Sequence, residues 1–321
     1  MPIVSSPHTT ALVFPGQGSH SVGMAVELVA ASRAAAAVFE VADAALGEPI
    51  SRLAFEGPED ELNRTENAQP ALLAASIAYL EALRERWGLP ASEALPFAFV
   101  AGHSMGQYSA LVAARSLDLA DAVRLVRERG RLMQASGSGR EGRMAAILGL
   151  PDDRVDDLVE RAARGGLVTV ANRNAPGQIV LSGERAAIDV AVAEARDLGA
   201  RRAVELPVSV ASHSPLMAEA ADGLQAVLAE VDVADPRPTL RANGDGHVIE
   251  DGDAARHELV DHLTTGVDWI AVVEAMAADG VTRFVEVGPG RVLTGLIKRI
   301  APDAEAIATD DQSAPDHLFV P

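Results

Sequence analysis

The stretch Phe97-Ala98-Phe99-Val100-Ala101-Gly102-His103-Ser104-Met105-Gly106 decides how this chain folds. Its first five residues form a short apolar run of the kind that makes a buried strand. Tyr108 to Ala114 is rich in Ala, Leu and Val and reads as a helix. Between them lies G-x-S-x-G, in which a serine sits on a tight strand-to-helix turn. Glycines two residues either side of Ser104 let the backbone turn sharply and leave room around the hydroxyl. The helix that follows points free N–H groups at any negative charge formed there. A Gly-rich turn in a doubly wound sheet has the same outline; the placement of strand and helix favours a nucleophilic serine.

The 321 residues are 48% hydrophobic, enough for one large core or two unequal ones. Cysteine is absent, which excludes disulfides, thiolate metal sites and cysteine nucleophiles. The net charge is −19 and aromatic residues are 3%, which argues against nucleic acid as a partner. Met1 to Thr10 shows neither a basic start nor an apolar run of signal-peptide length. No charge-free apolar stretch is long enough to span a bilayer, so a cytoplasmic protein that does not bind membranes is expected.

Working outward from the serine, Ala11-Leu12-Val13-Phe14 is a strand that runs into Pro15-Gly16-Gln17-Gly18-Ser19, with a helix from near Val22. Helices follow at Ser32–Leu46 and Pro70–Trp87, Pro70 suiting a first turn. Asp118 can cap a helix running from Leu119 to about Gln134, and Ala135 to Glu141 forms a linker. The next segments read as strand Met144–Leu150, helix Asp152–Ala163, strands Leu167–Ala171 and Gln178–Ser182, helix Arg185–Leu198 and strand Arg202–Leu206. That βαββαβ order suits a small ferredoxin-like sandwich. It is inserted, because the α/β pattern resumes with a helix over Pro215–Val231, a strand Arg283–Val287 and a helix Val292–Ile300. The expected division is 1–137 with 209–321 for the large part and 138–208 for the small one. The acidic tail from Pro302 is expected to be loose at its end.

A serine nucleophile needs a base. Of eight histidines, His213 is best placed. It follows a strand-like segment and precedes Ser214-Pro215, a cap and first turn whose positive dipole end favours neutral imidazole. His103 supports the turn, and His8, His247, His257 and His317 lie in polar or terminal segments. On a helical wheel for Leu119–Met133, Arg129 falls among the apolar residues, between Ala122 and Leu125. A buried guanidinium requires a partner. It is either a core carboxylate or the carboxylate of a substrate, held bidentately. The backbone N–H groups of Gln17 and Met105 are candidates for an oxyanion hole. The turn at Gly16–Gly18 lacks the third glycine and the acidic residue of a dinucleotide fingerprint.

These pieces together resemble the malonyl-CoA:acyl carrier protein transacylases and the acyltransferase domains of polyketide synthases. The matching stretches are Phe14–Ser19, Thr65–Ala71, Gly102–Gly106, Arg129-Gly130, Asn174–Gln178, Ser212–Ser214 and Glu286–Gly290, in the family's order over residues 11–300. The resemblance implies an α/β-hydrolase-like core with a ferredoxin-like insert. It implies that Ser104 is acylated, His213 is base then acid, Arg129 binds a malonyl carboxylate, and the Gln17 and Met105 amides hold the oxyanion. It further implies that the His262 backbone carbonyl orients His213, where the family more often has Gln or Asn. Val210, Ser212 and Asn174 would line the pocket. The implied reaction is ping-pong, from malonyl-CoA to the phosphopantetheine thiol of an acyl carrier protein. CoA thioester and phosphopantetheine are then substrates, and no cofactor or metal is bound permanently.

Three departures from the family's pattern stand out: His20 for Gln, Gln107 for Glu, and Arg241-Ala242-Asn243 where paired polar residues are common. They leave open a fatty-acid enzyme or a discrete trans-acting polyketide enzyme for a branched extender (methylmalonyl or ethylmalonyl). An acyl-carrier-protein-editing hydrolase would use the same serine and histidine; such relatives tend to lack the arginine. Met105 is bulky and suits an unbranched malonyl group. Lys298-Arg299, Arg127 and Arg131 are candidate contacts for the acidic carrier protein.

Overall fold

The computed structural model describes residues 9–90, 93–136, 141–208 and 210–311. The first eight residues, most of the linker before Glu141, the boundary position 209 and the end of the acidic tail lie outside them. So do His8 and His317.

In chain order the elements begin with β1 (Thr10–Phe14), α1 (Val26–Ala31), α2 (Arg33–Leu46), α3 (Ile50–Glu56), α4 (Glu59–Leu62) and α5 (Thr65–Trp87). Next are β2 (Phe99–Gly102), α6 (Gly106–Ala113), α7 (Leu119–Ser136), β3 (Gly142–Leu148), α8 (Val155–Ala162), β4 (Val168–Ala175), β5 (Gln178–Glu184), α9 (Arg185–Glu194) and β6 (Arg202–Glu205). The chain continues through α10 (Ala218–Leu228), β7 (Thr239–Arg241), β8 (Val248–Ile249), α11 (Gly252–Asp261), β9 (Val267–Asp268) and α12 (Trp269–Ala278). It closes with β10 (Arg283–Glu286), α13 (Val292–Ile300) and β11 (Glu305–Ala308). The protein is a mixed α/β structure with two mixed sheets.

The larger sheet has the order β11-β10-β1-β2-β7-β8, parallel throughout except for the last pair. Its central strand β1 is buried on both faces, so it reads as an unbroken apolar run. The period of two sorts its side chains. Leu12 and Phe14 join a core with residues of α2, α5, α6 and α7. Ala11 and Val13 join a second core with residues of α12 and α13. The smaller sheet has the order β6-β3-β5-β4-β9. Its first four strands are antiparallel, and α8 and α9 cover the face carrying Ala145, Ile147, Ile179 and Leu181. The two-residue β9, from the far side of the insert, adds to β4 in parallel.

Several boundaries differ from the sequence reading. The helix expected near Val22 starts at Val26, because Gly23 and Ala25 take positive φ (90° and 64°) and keep the preceding residues in a turn. Pro70 is the sixth residue of α5, not part of its first turn. The proline removes one helical bond, to the Glu66 carbonyl, and the helix persists because its central residues are almost all buried. The acidic tail carries β11, an edge strand parallel to β10. No helix among the described residues is long and apolar enough to cross a membrane.

The motif Arg129-Gly130 has a packing reason. A Cβ on Gly130 would lie 2.6 Å from Glu66 Cα and 2.7 Å from the Thr65 carbonyl oxygen, so α7 crosses the start of α5 backbone to backbone. Gly130→Ala should therefore destabilise the protein by about 1–3 kcal/mol through overpacking, although alanine is the better helix former by about 1 kcal/mol. Thermal unfolding checks the sign: an unchanged or higher Tm would show that the crossing relaxes freely.

Candidate active site

Strand β2 ends at Gly102 and α6 begins at Gly106, and the turn between them places Ser104 at φ 53°. For a residue with a side chain this left-handed conformation costs on the order of 1–3 kcal/mol, and its surroundings must hold it there. Both glycines are required by close approach. A Cβ at Gly102 would fall 1.9 Å from the Gly106 carbonyl carbon, and one at Gly106 would fall 2.2 Å from the Phe14 oxygen. The Ser104 amide donates to Asn243 Oδ1 at 2.8 Å, and the His103 amide to the Phe14 carbonyl at 3.0 Å. Gln107, fully buried, accepts from the Gly102 amide (2.9 Å) and donates to the Arg241 carbonyl (2.7 Å), tying the turn to β7. A glutamate there could accept from Gly102, but it could donate to Arg241 only as the neutral acid.

His213 also has a positive φ (58°) and is 3% exposed. Its Nε2 lies 2.8 Å from Ser104 Oγ and its Nδ1 2.5 Å from the His262 carbonyl oxygen. A carbonyl only accepts, so Nδ1 carries the proton and Nε2 is free to accept from the serine hydroxyl. Burial, and then the charge of Arg129, bring the His213 pKa down to about 3, against the opposing pull of the His262 carbonyl. The ring is thus neutral and base-competent. Ser214 caps the turn that follows, accepting from the Leu216 amide and donating to the Ala211 carbonyl.

Arg129 is 2% exposed. Its Nη1 donates to Gln69 Oε1 at 2.8 Å, and its Nη2 lies 3.4 Å from both Ser104 Oγ and His262 Nε2. Among the described residues no carboxylate forms an ion pair with it; its polar partners are neutral. Its Cζ stands 5.9 Å from the Tyr108 ring centroid. Since a guanidinium cannot accept, His262 Nε2 must be the acceptor. His262 Nδ1–H then donates to the Glu258 carbonyl at 3.0 Å. Burial, Arg129 and His213, in that order, hold the His262 pKa well below the ordinary histidine value.

The remaining expected site residues are placed less uniformly. The Gln17 side chain is exposed and its Nε2 reaches Thr65 Oγ1 at 3.3 Å. The amides of Gln17 and Met105 donate to no protein acceptor among the described residues. The Met105 side chain is 1% exposed and packs in the main core. Asn174, on β4, accepts from His103 Nε2 at 2.8 Å and so braces the turn from the small sheet. Val210 is buried in the main core, and Ser212 is half-buried beside His213. Arg127 is engaged by Glu48 and Asn67, Arg131 by Glu128, and Arg299 by Gln178 and the Pro176 carbonyl. Arg131, Lys298 and Arg299 are all exposed. Among the described residues no group of three or more His, Asp or Glu side chains is arranged to hold a metal ion.

Sequence reasoning gave no role to Gln69, Asn243 or Glu258. Gln69 lay within a quoted motif, and a fully buried glutamine in a helix of alanines and leucines is itself a signal of a polar partner.

The family described as "Acyl transferase domain" matches residues 11–310. The malonyl CoA-acyl carrier protein transacylase of Escherichia coli is 45% identical over 304 residues, covering 95% of this chain and 96% of the relative. The solved acyl-carrier-protein S-malonyltransferase of Bartonella henselae superposes with a TM-score of 0.90 at 42% identity, covering 96% of each chain. A solved complex described as a type II PKS acyl-carrier protein with its malonyl-transacylase superposes with a TM-score of 0.89 at 40% identity, covering 97% of each chain. With a match that spans nearly all of its length, this chain belongs to the acyl transferase domain family.

Proposed function

We propose that the chain moves a malonyl group from coenzyme A to the phosphopantetheine thiol of an acyl carrier protein through an acyl-Ser104 intermediate. The observation that carries this reading is Arg129: a buried cation, held by neutral acceptors, 3.4 Å from the hydroxyl that would be acylated. An acyl group on Ser104 with a carboxylate at its far end reaches that guanidinium and supplies the anion it lacks. Relatives that are malonyl transacylases of acyl carrier proteins favour the same substrates.

Ser104 Oγ attacks the thioester carbonyl as its proton passes to His213 Nε2. The amides of Gln17 and Met105 stabilise the oxyanion, and the coenzyme A thiolate leaves with the proton from His213. The carrier's thiol then gives its proton to His213 and attacks the acyl-serine, and Ser104 leaves protonated. The His262 carbonyl holds the ring in register for both transfers. The CoA thioester and the phosphopantetheine thiol are both substrates, so these steps need no resident cofactor; a cytoplasmic enzyme is part of the same reading. Val210, Ser212 and Asn174 surround the acyl chain in this reading.

The strand order β6-β3-β5-β4 and two covering helices support a ferredoxin-like insert over 138–208, and the parallel sheet with its serine turn supports an α/β-hydrolase-like core over 1–137 and 209–321.

Incubation with malonyl-CoA and quenching should leave a malonyl adduct on Ser104 by intact mass. Addition of a holo carrier protein should discharge it to the carrier faster than to water; faster release of free malonate would mean an editing hydrolase. Competition among malonyl-, methylmalonyl- and ethylmalonyl-CoA should favour malonyl. Arg129→Ala should slow malonyl loading roughly 10²- to 10³-fold, as expected for unpairing a buried charge, and should gain relative activity with acetyl-CoA. Equal malonyl loading by parent and variant would remove the basis of the reading.

The pH profile follows from His213. The neutral ring is required, and it is lost only as pH falls through its lowered pKa of about 3. The acid limb of kcat/KM for loading should therefore lie well below the ordinary histidine value near 6.5. Arg129→Met removes a charge that depresses that pKa, so the limb should move to higher pH. A parental limb near 6.5 would contradict the buried, neutral base.

A further inference from the structure

One helix end holds both members of the Ser104–His213 couple. From Ser104 Oγ the bonds run to His213 Nε2 (2.8 Å), from His213 Nδ1 to the His262 carbonyl (2.5 Å), and from His262 Nδ1 to the Glu258 carbonyl (3.0 Å). Glu258 then closes the ring through its side chain: its Oε1 accepts the Asn243 amide at 2.5 Å, and Asn243 Oδ1 accepts the Ser104 amide at 2.8 Å. Glu258 is in the last turn of α11 and His262 is its C-terminal cap. Asn243 is 1% exposed, and its own carbonyl accepts from the Asp268 amide.

We propose that Glu258 is a positioning residue for acyl transfer: through Asn243 it fixes the strained Ser104 turn to the same helix end that orients His213. Ser104 at φ 53° needs an external hold, and the acceptor of its amide is a side chain whose own backbone is held by a carboxylate. Because α11 reaches the nucleophile through Glu258 and the base through His262, a small displacement of the helix carries both together and preserves their separation. Truncating Glu258 leaves the base on its carbonyl and releases the serine side alone. Arg129 and Gln69 are not in the ring's Glu258 arm, so binding of the acyl-CoA is spared.

This inference rests on the reading of Ser104 as the acylated residue, and the two fail differently. If the parent protein forms no malonyl adduct on Ser104, that reading falls. If the parent forms it and Glu258→Ala forms it at the same rate, this proposal alone falls. The expected result for Glu258→Ala is a roughly ten- to hundredfold slower loading step, the scale of a reacting group displaced by less than about 1 Å, with KM for malonyl-CoA unchanged. Glu258→Gln, which keeps an acceptor for the Asn243 amide, should restore most of the rate. Asn243→Ala should slow loading similarly, and the double variant should be no slower than Asn243→Ala alone. Should Glu258→Ala not fold, Glu258→Met keeps the side-chain volume without the acceptor and serves in its place. Multiplying effects in the double variant, or a fall in Tm with loading intact, would overturn the proposal.

Discussion

A guanidinium without an acid is the interaction on which this site depends. Arg129 sits in the core with Gln69, Ser104 and His262 as its polar neighbours. Dipoles ease the burial of a cation but do not neutralise it, so the pocket is energetically incomplete until an anion enters. A carboxylate from the protein would relieve this and would close the site to a substrate carboxylate. The same charge also acts on the histidines. It is the second largest cause of the low pKa of both His213 and His262, after burial. In the proposed reaction one cation would select the acyl group and favour the neutral ring of His213.

The strain at Ser104 is the second constraint, and it is distributed. Gly102 and Gly106 allow the turn to exist; they do not hold it. The hold comes from Gln107 inside the turn and from Asn243 outside it, both reaching the segment around β7. Gln107 must donate and accept at once, a task for an amide. Arg241 in turn packs over Phe99, 4.3 Å from its centroid, and bonds the Gly246 carbonyl. Departures from the family's pattern at 107 and 241–243 therefore form one connected bracket behind the nucleophile.

Local signals made much of this legible in the sequence. Buried parallel strands are continuous apolar runs, which exposed β1 and β2, and glycine punctuation exposed the serine turn. Helix α13 has both of its expected ends, Val292 and Ile300. His213 and Arg129 were legible because a cap motif and a helical wheel are local too. The segment 232–282 was not. Helix α11 buries only Gly252, Ala255 and Leu259, and β8 and β9 have two residues each, too little pattern to find. Asn243 reaches a partner 139 residues away and Gln69 one 60 residues away; no spacing rule announces either.

The small sheet is joined to this machinery rather than hung beside it. Asn174 on β4 bonds His103, the neighbour of the nucleophile. Strand β9, which follows the His262 turn, pairs with β4 through Val267 and Asp268. Arg299 of α13 fastens the β4–β5 turn through Gln178 and the Pro176 carbonyl. The small sheet is thus tied to the large part at three points, one of them on the turn that carries the serine. Arg127 and Arg131 are paired with glutamates, whereas the partners of Arg299 are neutral, so its charge and that of exposed Lys298 are left to act at long range on an acidic surface.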